Sequence, residues 1–152
     1  MTVLACLGAG RIGGEVAFLS AALGRADEII LHDMYEPVRT AQKLDITHAL
    51  DIPVSCDTKR LRDADFCVFS AGAARTPDIK TRADLFDANL PVAREVAELL
   101  TGFGGHLIVV TNPMDVFTWY FAKHTGLSQE QILGFGGLLD SRRFSLALAS
   151  AG

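Results

Sequence analysis

Apolar residues along the chain form short continuous runs that alternate with longer stretches of helical periodicity. The run TVLACL at residues 2–7 is apolar after its first residue, which is typical of a strand buried on both faces of a sheet. The stretch IGGEVAFLSAAL at residues 12–23 instead repeats its apolar positions with the period of a helix. This alternation predicts βαβ units and a doubly wound α/β fold with a parallel sheet.

The same pattern predicts the remaining elements. Further strands are expected at residues 28–33, 54–56, 65–72 and 106–111, and a last short strand or turn at 131–137. Further helices are expected at residues 36–50, 83–102, 115–126 and 138–151, with a polar loop at 73–82. Pro91 lies inside its predicted helix and should kink the helix or mark its true start. Gly126 is the expected residue just after its helix, as glycine often is.

Length and composition narrow the class of protein. A chain of 152 residues with 49% hydrophobic and 21% charged residues is sufficient for one domain with a real core. The net charge of −4 gives no basic surface for a nucleic-acid partner. No apolar run reaches the ~18 residues that a membrane span needs, so no membrane partner is expected either. The N-terminus MTVLACLGAG has no signal-peptide features.

The three cysteines are odd in number and show no CxxC spacing. Two of them, Cys6 and Cys67, lie in apolar strand-like runs. We therefore expect reduced thiols, a cytoplasmic location and no metal site.

A glycine motif follows the first predicted strand and opens the first helix: Gly8, Gly10 and Gly13 have the spacing GxGxxG. The first glycine suits a tight turn, the second lets backbone amides approach a pyrophosphate, and the third lets helix and strand pack closely. Asp33 lies 20 residues beyond Gly13, at the end of the second strand, where a carboxylate can accept from a ribose hydroxyl. Together these residues predict dinucleotide binding, and the acid favours NAD over NADP.

Polar residues also follow the later strands at the same edge of the sheet. Arg75, Lys80 and Arg82 in the 73–82 loop could grip a small dianion, or could form an ordinary solvated basic loop. Asn112, at the end of another strand, could orient a hydroxyl or carbonyl group, or Asn112-Pro113 could merely begin a turn.

Asp140 and Arg143 are spaced i, i+3 on the last predicted helix, which on its own indicates a surface ion pair. A proton donor for hydride transfer to a carbonyl would have to be a residue such as histidine. None of the four histidines is placed convincingly beside Asn112 or the loop arginines, so core or surface roles are expected for all four: His32, His48, His106 and His124.

Six stretches in order resemble the malate/lactate dehydrogenase family and span the whole chain. They are GAGRIGG (8–14), LHD (31–33), KLDITHA (43–49), AGAARTPDIKTRADLFDAN (71–89), VVTNPMD (109–115) and GGLLDSRRF (136–144). The resemblance implies a Rossmann NAD-binding fold and NAD as cofactor. The cofactor-binding residues that it implies are Gly8, Gly10, Arg11, Ile12, Gly13, Asp33, Asn89, Val110, Thr111 and Asn112.

The resemblance also implies roles toward the substrate. Arg75 occupies the specificity position, where malate dehydrogenases carry Arg and lactate dehydrogenases Gln, and a second guanidinium would pair the extra carboxylate of oxaloacetate. Arg82 matches the loop arginine that polarises the substrate carbonyl, and Asn112 matches the substrate-binding Asn. Arg143 matches the Arg that grips the shared carboxylate, and Asp140 matches the acid that orients the catalytic histidine.

Two departures from the family pattern stand out. Six residues, rather than the usual five, separate Arg75 from Arg82, so Lys80 could share the role of Arg82. The proton-donor stretch His-Gly-Asp or His-Gly-Glu is absent from this sequence. We therefore expect an NAD-binding domain at residues 1–138 and the start of a catalytic domain at 139–152, with weak NAD binding and negligible turnover by this chain alone.

The predicted function is NAD-dependent malate dehydrogenase of the tricarboxylic acid cycle, acting on the dicarboxylates malate and oxaloacetate. A lactate or other 2-hydroxy-acid dehydrogenase is an alternative, and a stand-alone NAD-sensing module is an alternative of another class. The family implies a homo-oligomer, a dimer or tetramer at full length, with helix 36–50 as a candidate interface.

Overall fold

The computed structural model of the chain describes residues 1–73, 76–77 and 79–151, and their backbone forms a single parallel sheet flanked by helices. The strands are β1 (Val3–Leu7), β2 (Glu28–His32), β3 (Val54–Ser55), β4 (Phe66–Phe69), β5 (His106–Val109) and β6 (Ile132–Gly134). Their order in the sheet is β3-β2-β1-β4-β5-β6, and each neighbouring pair is parallel. The chain reverses its direction of winding between β3 and β4, which confirms the predicted doubly wound fold.

Five α-helices connect or follow the described strands: α1 (Arg11–Ala22), α2 (Glu36–Ala49), α3 (Arg82–Leu99), α4 (Met114–His124) and α5 (Gly137–Ala151). Two short 3₁₀ segments occur at Thr58–Asp63 and Gln129–Gln131, and the apolar pattern predicted neither. Gly126 follows α4 with a φ of 75°, as predicted for the residue that closes this helix.

Of the two alternatives expected for Pro91, a kink or the start of the helix, the structure excludes the second. Pro91 lies inside this helix but does not mark its start, because the helix is continuous from Arg82 to Leu99. The ring of Pro91 is exposed, so the backbone hydrogen bond that proline removes is lost on the solvent side of the helix.

The two faces of the sheet are covered by separate hydrophobic clusters. On one face Phe69 of β4 packs edge-on against Phe117 and Phe121 of α4, with ring centroids 6.0 and 4.9 Å apart. On the other face Leu31 of β2 lies in a cluster with Ile46 of α2. All five side chains are fully buried, and burial of one such side chain stabilises the fold by about 1.5–3 kcal/mol.

Helix α5 differs from the other helices because it has no buried residue. Its large apolar side chains Phe144, Leu146 and Leu148 are all more than half exposed. No helix in the described part of the chain has the length and hydropathy needed to cross a membrane.

Candidate functional site

The site begins at the turn between β1 and α1, where glycine is required for two different reasons. Gly8 adopts a φ of 102°, and a Cβ atom there would lie 2.6 Å from the Cα of Ala71. A Cβ atom on Gly13 would collide with the carbonyl oxygen of Gly8 and come within 2.6 Å of the Ser70 hydroxyl. Gly8 therefore makes the tight turn and Gly13 lets the helix approach it, as the spacing predicts.

Gly10, the N-cap residue of α1, is different because its Cβ position is open. Nothing lies within 4 Å of a Cβ atom built there, and no side chain of the described residues caps the helix. The amides of the first turn, including those of Arg11 and Ile12, therefore face an open space at the positive end of the helix dipole. This arrangement suits an anion such as a pyrophosphate.

Asp33 fixes the other side of this turn. Its Oδ2 accepts a hydrogen bond from the amide of Ala9 at 2.8 Å, and its Oδ1 accepts one from the amide of Tyr35 at 2.8 Å. The half-buried carboxylate thus ties the end of β2 to the glycine turn. A carboxylate offers about four acceptor positions, so two remain for other donors such as ribose hydroxyls.

A cavity of about 510 Å³ lies on the carboxyl-terminal edge of the sheet, between α1, β4, β5 and α3. Of the predicted site residues it is lined by Ile12, Arg82, Asn89, Val110, Thr111 and Asn112. The structure therefore brings together six predicted residues from three separate stretches of the chain, because Arg82 and Asn89 both lie on α3. The side chain of Arg11 lies outside this cavity and pairs with Glu15 at 3.9 Å on the surface.

Asn89 and Thr111 hold the loops that form this cavity. The buried Asn89 accepts a hydrogen bond from the amide of Ala73 at 2.7 Å and donates one to the carbonyl of Asn112 at 3.1 Å. The hydroxyl of Thr111 donates to the carbonyl of Ala71 at 2.7 Å. Both side chains therefore join the loop after β4 to the loop after β5, a role that the sequence did not predict.

Arg82 is placed by a capping box at the start of α3. The hydroxyl of Thr81 accepts from the amide of Asp84 at 3.1 Å, and the carboxylate of Asp84 accepts from the amide of Thr81 at 2.8 Å. The hydrogen bonds from Thr81 lower the pKa of Asp84 from its usual value of 3.8. Because the cap fixes the first turn, the exposed Arg82 is held at the rim of the cavity, and Asn112 lies exposed on the same cavity.

A second, smaller cavity of about 170 Å³ adjoins the first at Gly72, which lines both. Gly8 and Asp33 line it on one side, and Val92, Glu95 and Val96 of α3 line it on the other. His32, at the end of β2, also lines it. The other three histidines, His48, His106 and His124, are exposed and line neither cavity.

Sequence reasoning did not select Glu95 because an acid on a helix is usually solvated. The available signal was the spacing of Val92, Glu95 and Val96, which places the acid on the face of α3 that carries two apolar residues.

Asp140 and Arg143 form the predicted pair, with Oδ1 and Nη1 3.1 Å apart, and both side chains are more than two-thirds exposed. Neither residue lines either cavity. Arg75 lies outside the described residues.

Two predicted features of an NAD site, the glycine turn and Asp33, thus occur in one place beside the two cavities. The open amides of α1 suit the pyrophosphate, Asp33 has free acceptor positions for a ribose, and the two cavities lie on either side of the glycine turn. The chemistry of these residues fits the dinucleotide.

Comparison with known proteins also indicates an NAD-binding domain. The family described as lactate/malate dehydrogenase, NAD binding domain, matches residues 2–134. The L-lactate dehydrogenase of Geobacillus kaustophilus is 37% identical over 153 residues, which cover 95% of this chain and 48% of that enzyme. The malate dehydrogenase of Neorickettsia sennetsu is 35% identical over 152 residues, which cover 94% of this chain and 48% of that enzyme.

A solved structure of malate dehydrogenase from Archaeoglobus fulgidus in complex with NADH superposes with a TM-score of 0.87 at 32% identity. It covers 100% of this chain, which in turn covers 54% of that one. The chain spans about half the length of these relatives. The predicted cofactor, NAD, is confirmed by the matched domain. The chain belongs to the lactate/malate dehydrogenase family, whose NAD-binding domain it carries.

Proposed function

We propose that this chain is the cofactor-binding part of an NAD-dependent malate dehydrogenase, which interconverts malate and oxaloacetate by hydride transfer. The observation that carries this choice is the arginine at position 75 of the loop after β4. Oxaloacetate has one more carboxylate than pyruvate, and a guanidinium can bind a carboxylate through two parallel hydrogen bonds. A second cation, Arg82, lines the large cavity together with Asn112, so this cavity suits an anionic substrate.

The proposed roles follow the chemistry of each side chain. Arg75 pairs the second carboxylate, Arg82 polarises the carbonyl that becomes the hydroxyl, and Asn112 orients that oxygen. Arg143 binds the carboxylate adjacent to the reacting carbonyl. Asp140 orients a histidine from outside this chain, and that histidine exchanges the hydroxyl proton. The nicotinamide of NAD supplies the hydride acceptor for malate oxidation. Val110 and Thr111 are proposed to line its place, because both lie on the large cavity.

We further propose that residues 1–138 form the NAD-binding domain and that residues 139–152 belong to the substrate side of the complete enzyme. The family match ends at residue 134, and α5 begins at Gly137 with no buried residue. Its exposed apolar face needs covering by further protein, because such surfaces are rarely left to water. A homo-oligomer using α2, and a cytoplasmic location suggested by three free cysteines, belong to the same proposal.

A lactate or other 2-hydroxy-acid dehydrogenase is the second candidate. It is favoured by the names of several similar proteins, including the Geobacillus kaustophilus enzyme. Lactate has a single carboxylate, so Arg75 would then lack its partner.

The deciding experiment uses protein expressed from the complete reading frame. We expect the kcat/KM for oxaloacetate to be at least roughly 10²-fold higher than that for pyruvate, because only oxaloacetate has the carboxylate that forms the additional bidentate ion pair. Arg75→Gln should move the preference toward pyruvate, whereas Lys59→Gln, a remote exposed cation, should not. Equal or greater activity with pyruvate in the unmodified protein would instead identify the second candidate.

The 152-residue chain serves as a separate control. We expect it to bind NADH weakly, and its turnover to be reduced by at least roughly 10²–10⁴-fold through loss of the general acid alone. Robust reduction of oxaloacetate by this chain would contradict the roles assigned to residues outside it.

A further inference from the structure

Two glycines, one at the end of β6 and one just after it, lie against a single side chain of α4. A Cβ atom on Gly134 would collide with the sulfur of Met114, and a Cβ atom on Gly136 would lie 2.7 Å from its methyl group. The thioether of Met114 therefore occupies the space that a side chain at either glycine would need. Met114 is half-buried and lines neither cavity, so the cofactor site does not account for this packing.

The backbone is fixed on both sides of this contact. The hydroxyl of Thr118 donates a hydrogen bond to the carbonyl of Met114 at 2.7 Å and lies 3.6 Å from the sulfur. On the other side, the amide of Phe135 donates to the carbonyl of Val109 at 2.8 Å, which keeps the chain leaving β6 next to the end of β5. Met114 therefore packs between the first turn of α4 and the chain that leaves β6, and a long unbranched thioether suits such an irregular gap.

The contact joins two parts of the proposed substrate site. Asn112, which lines the large cavity, precedes Met114 by two residues. On the other side, Gly136 immediately precedes α5, the helix that carries Asp140 and Arg143. No residue of α5 is buried, so the packing of its own side chains does not fix where the helix begins. The chain just before the helix, where Met114 packs, is therefore the part that sets its starting point.

We propose that Met114 is a positioning residue, which fixes the start of α5 relative to Asn112. Arg143 is thereby placed to bind the substrate carboxylate. This role rests on the proposed function, in which Asn112 and Arg143 both contact the substrate. Misplacement of a reacting or binding group by about 1 Å can cost roughly 10²-fold in rate, so packing that holds α5 within this tolerance affects catalysis.

The test displaces the thioether in enzyme expressed from the complete reading frame, assayed with whichever of oxaloacetate and pyruvate the unmodified enzyme prefers. Gly136→Ala should raise the KM for the keto acid about tenfold, because the new Cβ displaces the methyl group of Met114 and with it the start of α5. The affinity for NADH should be retained, since neither residue lines a cavity. Gly137→Ala is the matched control, because nothing lies within 4 Å of its Cβ, and the KM should be unchanged.

A compensating substitution shows whether Met114 carries the effect. Met114→Leu alone should raise the KM only about threefold, because leucine and methionine are similar in volume. Added to Gly136→Ala, it should bring the KM back to the value of Met114→Leu alone. Leucine has no atom beyond the position of the sulfur, so it leaves space for the new Cβ.

The outcomes separate positioning from folding. A KM unchanged by Gly136→Ala, no recovery in the double variant, or an equal rise in Gly137→Ala would overturn the inference. A merely structural role of Met114 would reduce the fraction of folded enzyme, and so lower kcat with the KM unchanged, which would also overturn it. All these results leave the proposed function intact, whereas an unmodified enzyme that reduces neither keto acid would overturn both.

Discussion

The amide of Ala9 donates a hydrogen bond to the carboxylate of Asp33 over 2.8 Å, which joins the glycine turn directly to the end of β2. Asp33 therefore acts before any ligand arrives, because it holds the turn in the shape that leaves the first amides of α1 open. The same carboxylate is the acceptor proposed for the ribose. One side chain thus stabilises the turn, and the same side chain is proposed to bind the cofactor.

Asp33→Asn should weaken NADH binding about tenfold. It should also reduce the ratio of the affinity for NADH to the affinity for NADPH. The amide keeps one acceptor but loses the negative charge that repels a 2′-phosphate. Isothermal titration with both dinucleotides measures the change. Asp27→Asn is a suitable control, because Asp27 also accepts a hydrogen bond from a backbone amide, that of Thr2, but is exposed and remote from the turn. Unchanged NADH affinity in Asp33→Asn would contradict the assigned role.

Two alanine substitutions in the glycine motif should differ in their effects, one reducing stability and the other reducing NADH binding. Gly13→Ala should lower the free energy of unfolding by about 1–3 kcal/mol, because its Cβ would collide with the backbone carbonyl of Gly8. Gly10→Ala should leave stability within about 1 kcal/mol, since nothing lies within 4 Å of its Cβ, but should weaken NADH binding by filling the space for the pyrophosphate. Urea denaturation and NADH titration measure the two effects.

Gly104→Ala provides the matching control for both substitutions. Its Cβ position is also open and it lies far from the turn, so stability and NADH affinity should both be retained. If Gly10→Ala bound NADH as well as the unmodified chain, the pyrophosphate could not lie over this residue.

The buried thiols should make the protein sensitive to alkaline pH. Burial raises the pKa of Cys6 from 9.0 to about 12 and raises the pKa of Cys67 as well. The unfolded chain therefore loses these protons above about pH 9 while the folded chain keeps them. Stability should be unaffected by these groups below pH 9 and should fall as the pH rises toward 12.

Thiol titration checks this directly. At pH 8 a colorimetric thiol reagent should modify the half-buried Cys56 quickly and the other two cysteines only after denaturation. The Cys6→Val variant should show a smaller loss of stability between pH 9 and 12. Rapid modification of all three thiols in the folded protein would contradict the burial of Cys6 and Cys67.

The sequence predicted the parts of this structure that depend on local pattern. Continuous apolar runs and helical periodicity identified the strands and helices, because the number of buried faces determines the spacing of apolar residues along the sequence. The glycine turn could also be predicted from the sequence, because a positive φ at Gly8 and a close approach at Gly13 each require the residue that lacks a Cβ.

Contacts between distant polar residues could not be predicted in this way. Arg60 of a 3₁₀ segment forms a bidentate ion pair with the buried Glu28 of β2. The imidazole of His32 in β2 contacts the carboxylate of Glu95 in α3. Each partner is an ordinary polar residue in its own stretch, and only the packing of elements brings the pair together. The 3₁₀ segment at Thr58–Asp63 was missed for a related reason, because six residues are too few to show an apolar period.

Asn89 gives the clearest test of how the two loops of the large cavity are held. Asn89→Ala should lower the free energy of unfolding by about 1–3 kcal/mol, because it removes the two hydrogen bonds that the buried Asn89 side chain makes with Ala73 and Asn112. Urea denaturation measures the loss. Asn112→Ala is the control, since only the backbone carbonyl of this exposed residue takes part, and stability should be retained.

Asn89→Asp then separates the two hydrogen bonds. The carboxylate still accepts from the amide of Ala73, so hydrogen exchange at that amide should remain slow, whereas in Asn89→Ala it should become fast. At the second bond a carboxylate oxygen replaces the donor and faces the carbonyl of Asn112, so the loop after β5 should be released while the loop after β4 stays in place. Equal exchange rates at Ala73 in the two variants would show that Asn89 does not hold that loop through its oxygen.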